Sequence, residues 1–233
     1  MSNPLSTAFE QMPPQEKLRY IRSIQTPTDK EISFLISILT DSKENEMIQA
    51  AVLPVFKKAG ENASAALTIC FGQTSDHEKQ MRVKLSYALS QIPQTAAAVF
   101  ETFLKDTVPE VRQNGIIGLS EKNNGQYDSL LYDLLIHDSD PKTAFEAASA
   151  LAAGNERTLP LFKKILANDL ENTGQKTQNF GLDDHVLGKV IEIVGKSDSE
   201  EKMMYINPYL YHENVKISNL TKEIIAELKN KNK

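Results

Sequence analysis

Asp106-Thr107-Val108-Pro109-Glu110-Val111-Arg112-Gln113-Asn114-Gly115-Ile116-Ile117-Gly118-Leu119 reads as a turn followed by a helix with one small-and-apolar face. A helix advances about 100° per residue, so Gly115, Gly118, Leu119 and Lys122 share the face of Val111. Pro109 suits a first turn, where its missing N–H has no partner to lose. Asp106, just upstream, is placed to accept from the free amides of that turn. A helical glycine costs about 1 kcal/mol against alanine, so two on one face point to close approach by a neighbouring helix.

The phrase recurs. Met81-Arg82-Val83-Lys84-Leu85-Ser86-Tyr87-Ala88-Leu89 matches it 30 residues upstream, and Met47 to Val55 matches 34 residues before that. Downstream copies start at Thr143, Val186 and Ile217, with steps of 32, 43 and 31 residues. A second helical pattern precedes each copy, and helix pairs at a near-fixed period are the signature of an α-solenoid.

The Pro-x-Val-Arg core at Pro109–Arg112, with Asp106 before it and the small residues after it, resembles HEAT repeats. Asp138-Ser139-Asp140-Pro141 to Leu151 echoes it. The chain looks most like the short bacterial HEAT-like repeats also found in phycobilisome lyases, from about Asp29 to Lys229. The resemblance implies an all-α fold, a right-handed α-α superhelix (HEAT/ARM-like solenoid) of about six helix pairs plus an N-terminal helical cap. The signature is complete only at Pro109–Arg112. Met81-Arg82 keeps part of it and the other copies lose the arginine.

Residues 1–28 read as the helical cap, 29–229 as the solenoid continuous with it, and 230–233 as a polar tail. The expected pairs are Asp29–Thr40 with Glu44–Lys58, Ala63–Phe71 with His77–Gln91, and Thr95–Lys105 with Pro109–Lys122. Tyr127–His137 with Pro141–Ala153, Leu159–Asn168 with Asp184–Gly195, and Ser199–Tyr211 with Asn214–Lys229 complete the array. The long 43-residue step holds a polar insertion, Asp169 to Leu182, read as solvated slack, in which Phe180 would mark a binding loop.

The 233 residues are 40% hydrophobic and 24% charged, ordinary values for a globular chain, and no stretch alternates as a strand would. A net charge of −5 argues against a nucleic-acid partner held through phosphates. The start Met1-Ser2-Asn3-Pro4 lacks the pattern of a signal peptide. The longest apolar run, Ile32–Leu39, is far short of the ~20 residues that span a bilayer. The expectation is therefore a cytoplasmic protein with no membrane and no nucleic-acid partner. Cys70 is the sole cysteine, read as a core residue with no basic neighbour to activate it.

Four dipeptides invite a metal reading: His77-Glu78, His212-Glu213, His137-Asp138 and Asp184-His185. Deoxyhypusine hydroxylases are HEAT-like proteins that bind iron through His-Glu pairs one step into the Val-Arg helix. Gln113 and Asn114, or Val83 and Lys84, occupy that position here, so the dipeptides read as cap and turn residues. No cofactor, metal or catalytic residue is expected. HEAT-like alkylpurine DNA glycosylases, phycobilin lyases and metal-dependent hydroxylases stand as the enzyme alternatives.

In HEAT proteins the second helix of each pair lines the concave side. Positions two and six residues after each origin then point to solvent: Gln49 and Leu53, Val83 and Tyr87, Gln113 and Ile117, Phe145 and Ser149. Gly188 with Glu192, and Asn219 with Glu223, complete the series. Leu53, Val83, Tyr87, Ile117 and Phe145 form an apolar strip over the first four repeats, read as the site for another protein, with Tyr87 the strongest anchor. Arg82 and Arg112 are placed to bond Asp106 and Asp138 in adjacent turns, a ladder that would fix the stacking. The expected function is a non-enzymatic scaffold or adaptor.

Overall fold

The computed structural model describes residues 8–172 and 182–231, and among them every regular element is a helix. The chain resolves into two compact units, Met1–Gly118 and Leu119–Lys233.

In the first unit, Pro14–Ser23 (α1) opens on a proline in its first turn and buries Ile21. Asp29–Thr40 (α2) starts with a reciprocal cap: Thr28 Oγ1 accepts from the Glu31 N–H, and the Glu31 carboxylate accepts from the Thr28 N–H at 2.7 Å. Those bonds hold the Glu31 carboxyl below its ordinary pKa, the Thr28 backbone N–H acting most strongly. Glu46–Ala59 (α3) carries Pro54 on its exposed side. Ala50, whose carbonyl a proline at this position cannot serve, is exposed as well, so water can reach the interruption and it is tolerated. Gly60, at φ 57°, turns the chain directly into Glu61–Gln73 (α4), a backbone conformation only glycine takes without strain. Lys79–Ser90 (α5), Ala97–Phe103 (α6) and Pro109–Ser120 (α7) follow, with the unit boundary falling inside α7. Helices α1 and α2 pack on α3, α2 also packs on α4, and α4 packs on α5. Phe9, Tyr20 and Phe34 meet edge to face, and Phe103 lies 4.6 Å from the Phe71 ring centre and 5.9 Å from that of Phe100.

The glycines of the Asp106–Leu119 phrase have their partner in this core. A Cβ on Gly118 would lie 2.4 Å from the Phe100 ring, and one on Gly115 would meet Leu104, Phe103 and the Phe100 carbonyl at 2.9–3.0 Å.

In the second unit, Asp128–His137 (α8) pairs with Pro141–Ala152 (α9), and Leu159–Asn172 (α10) with Asp184–Lys196 (α11). Lys202–Ile206 (α12), a 3₁₀ turn at Asn207–Tyr211 and Val215–Lys231 (α13) complete it. The second helices stack in series, α9 on α11 and α11 on α13, while α10 packs on α12. The expected single helix Ser199–Tyr211 is divided because Pro208 has no N–H for the α ladder, and the chain tightens into 3₁₀ geometry. Asp140 caps α9 by accepting from Thr143 N at 2.8 Å, with Pro141 in the first turn. Gly195 repeats the close approach of the first unit, since a Cβ there would lie 2.7 Å from Ile224 Cγ2. α10 runs to Asn172, and residues 173–181 of the polar insertion, including Phe180, lie outside the described residues.

Candidate functional site

Asn114 organises the surface at the end of the first unit. It sits in α7, 7% exposed, and its Nδ2 donates to the Ser86 hydroxyl at 2.9 Å and the Val83 carbonyl at 3.3 Å. Ser86 is fully buried and donates to the same carbonyl at 3.0 Å. A polar cluster closed in this way fixes the axial register of α7 against α5, since shifting it would leave buried polar groups without partners. Tyr87 lies one residue beyond Ser86, and Ile117 lies three beyond Asn114. Both therefore fall just past the pin on the outward side of adjacent helices. Tyr87 is 44% exposed and Ile117 39%.

The other members of the apolar strip differ. Leu53 and Val83 are half-buried. Phe145 is half-buried as well and belongs to the second unit, so the five residues fall in two compact units, four in one and Phe145 in the other. There Phe145 lines a cleft of about 450 Å³ with His185, Lys189, Glu192 and Lys216, and Lys189 Nζ stands 5.8 Å from its ring centre. Glu192 accepts from Lys196 at 2.8 Å and from Lys189 at 3.3 Å, and the Lys196 bond leads in holding its carboxyl below the ordinary range.

The projection needs one correction. Gln49, Gln113 and Gly188, expected toward solvent, are buried. Neighbouring helices cover more of each second helix than the Val111 face alone, and the position two residues after the origin falls on that covered flank. Gln49 shows how the chain accommodates this, with Nε2 donating to the Asp41 carbonyl.

Of the ladder residues, Arg82 and Asp106 form an ion pair with side chains only 12% and 2% exposed. Arg82 also donates to Thr74 Oγ1 at 3.1 Å and lies 4.4 Å from the Phe71 ring centre. Asp106 Oδ1 accepts from Val108 N at 2.9 Å, ahead of α7 and not from the first-turn amides expected of it, which closes the turn before that helix, and Arg112 Nη1 donates to the Asp106 carbonyl at 2.9 Å. Asp138 accepts from the Asp140 N–H at 2.8 Å, closing the turn before α9.

Cys70 is half-buried rather than a core residue, and desolvation followed by the Glu78 charge raises its thiol above the ordinary value. His77, His137 and His185 are exposed. His212 Nδ1 accepts from Asn214 N at 3.1 Å, and its ring stacks on Tyr209. His77 and Glu78 precede the first turn of α5 instead of opening it, and Glu78 accepts from Ser75 N at 2.8 Å. Among the described residues no three of His, Cys, Asp and Glu converge as metal ligands. Among them, too, no helix is long and apolar enough to cross a membrane.

The Asn114 pin was missed by sequence reasoning. Its signal is an asparagine on a helix flank whose counterpart 28 residues upstream is a serine, a pairing that means something only once the two helices are known to touch.

No family model and no curated protein matches the chain. Among solved structures, human deoxyhypusine hydroxylase in complex with glycerol is similar over 87% of this chain and 97% of its own, at 14% identity and a TM-score of 0.29.

Proposed function

We propose that the chain is a HEAT-like protein whose helix pairs wind into a right-handed α-α superhelix, and that it binds another protein without catalysing a reaction. Tyr87 and Ile117 carry this reading. Two bulky apolar side chains stand partly in water, on two helices that the Asn114–Ser86 hydrogen bond joins. A rigid aromatic with a polar tip, flanked by an aliphatic residue, is the composition of an interface anchor. Val83 and Leu53, half-buried, extend the same apolar character on the first unit. The partner is a protein with a complementary apolar anchor, met in the cytoplasm.

A photo-reactive aromatic amino acid in place of Tyr87 tests this in native lysate, with crosslinked species identified by mass spectrometry. The partner is then purified and its affinity measured for wild type and for a Tyr87→Glu, Ile117→Glu double variant. Loss of a hot-spot pair costs about 2 kcal/mol or more, so binding should weaken at least ~tenfold while circular dichroism stays unchanged. Equal affinity of a folded double variant would remove this surface from the interface. A stoichiometric metal or an intrinsic visible chromophore in the purified protein would instead favour an enzyme.

A further inference from the structure

Two Asn-Gly dipeptides occur in the chain, Asn114-Gly115 and Asn124-Gly125, and they occupy opposite environments. Such a dipeptide can lose ammonia when the glycine nitrogen reaches the asparagine Cγ, because glycine has no Cβ to obstruct the approach and its backbone is free to turn. Asn114 is held against this chemistry. Its carboxamide nitrogen is bound to Ser86 and Val83, it is 7% exposed, and Gly115 lies inside α7, where its N–H is committed to the helical ladder.

Asn124 is exposed in the turn before α8. Gly125 stands at φ 111°, outside any helix, and its N–H goes to a side chain, Asn123 Oδ1, at 2.9 Å. The Asn124 Oδ1 accepts from Gln126 N at 3.4 Å, a contact that draws electron density from Cγ. The same Asn123 carboxamide receives Tyr127 N at 3.3 Å and donates to Asp128 at 2.8 Å. Asp128 in turn is held by Arg157 at 2.7 Å.

We infer that Asn124 is a site of spontaneous deamidation in the folded protein, with the Asn123 carboxamide acting as a brake on the attacking nitrogen. Hydroxide removes the Gly125 N–H proton, the nitrogen bonds to Asn124 Cγ, and the Cγ–Nδ2 bond breaks as ammonia leaves, giving a succinimide. Water then adds to either ring carbonyl and opens it to aspartate or isoaspartate. One water enters and one ammonia leaves, with no change of oxidation state. The product adds one negative charge beside Asp128. In the isoaspartyl form it lengthens the backbone by one carbon within the Asn123 clamp.

The test is peptide mapping by mass spectrometry after incubation of the full chain in mildly alkaline buffer, folded and in denaturant. In the folded protein the mass gain of an amide-to-carboxylate exchange should accumulate at Asn124 and be absent at Asn114. In denaturant both sites should react. Asn123→Ala should accelerate the folded-state reaction several-fold, and Asn124→Gln should abolish the signal. Folded protein that reacts at Asn124 no faster than at Asn114 overturns the assignment. A folded Asn123→Ala variant that reacts no faster than wild type removes the brake.

Discussion

A methyl group at Gly118 would sit 2.4 Å from the Phe100 ring, which is itself 1% exposed and has little room to move. Helix propensity favours Gly118→Ala by about 1 kcal/mol, while overpacking a core costs about 1–3 kcal/mol. At so short a distance the clash should win, and a lower urea midpoint would show it. Gly72, also helical, has nothing within 4 Å of its would-be Cβ. Gly72→Ala should therefore raise stability by about 0.5–1 kcal/mol. The two glycines look alike in sequence, and only their surroundings separate them. Asp106 belongs to the same scale. Its carboxylate pairs with Arg82 and closes the turn before α7, both in a nearly closed environment. Asp106→Ala leaves Arg82 without its counter-ion and should cost about 3–5 kcal/mol in denaturant unfolding. Cys70 gives a chemical readout: burial and the Glu78 charge both oppose the thiolate. Alkylation at neutral pH should be slower than for a free thiol, and Glu78→Gln should speed it.

Helix starts were readable one by one because caps are local. Thr28 with Glu31 and Asp140 with Pro141 each announce a first turn within a few residues, whereas Asp106 accepts from the Val108 N–H, ahead of the turn that Pro109 opens. Thr28→Ala should lower stability by about 0.5–2 kcal/mol, measured by thermal or urea unfolding. Glu31 has a folded pKa below its unfolded one. Its contribution is present above the ordinary carboxylate range and is lost as pH falls through the lowered folded value. The gap between wild type and Thr28→Ala should narrow in acid accordingly. The element that sequence misplaced is the stretch from Ser199 to Tyr211, where apolar spacing suits a continuous helix and Pro208 forbids one. Burial was less legible still. Periodicity puts Tyr87 and Ile117 on an outward line, but how far round the helix its neighbours reach is decided by packing, which is why Gln49 and Gln113 are covered.

At the scale of the molecule, two compact units of similar size organise the core. Compact units can open locally, each with a free energy of its own. Gly118→Ala should therefore raise amide exchange chiefly in helices of residues 29–118, and less in those of residues 184–231, as hydrogen-exchange mass spectrometry would resolve. Uniform loosening throughout would mean the two units open together. The all-helical character was plain from the recurring phrase, whereas the division inside α7 was not, since that helix carries the most complete copy of that phrase.

The contact of Asn114 with Ser86 and Val83 also limits how a gene of this kind can drift in length. An insertion in the linker between α5 and α6 changes only a loop, and loop entropy rises slowly with length. One residue inserted between Ser86 and Tyr87 turns everything beyond it by about 100°, carrying Tyr87 out of its present direction while the pin stays in place. Related chains should differ in length between the helices and keep the count constant from residue 83 to residue 87 and from residue 114 to residue 117.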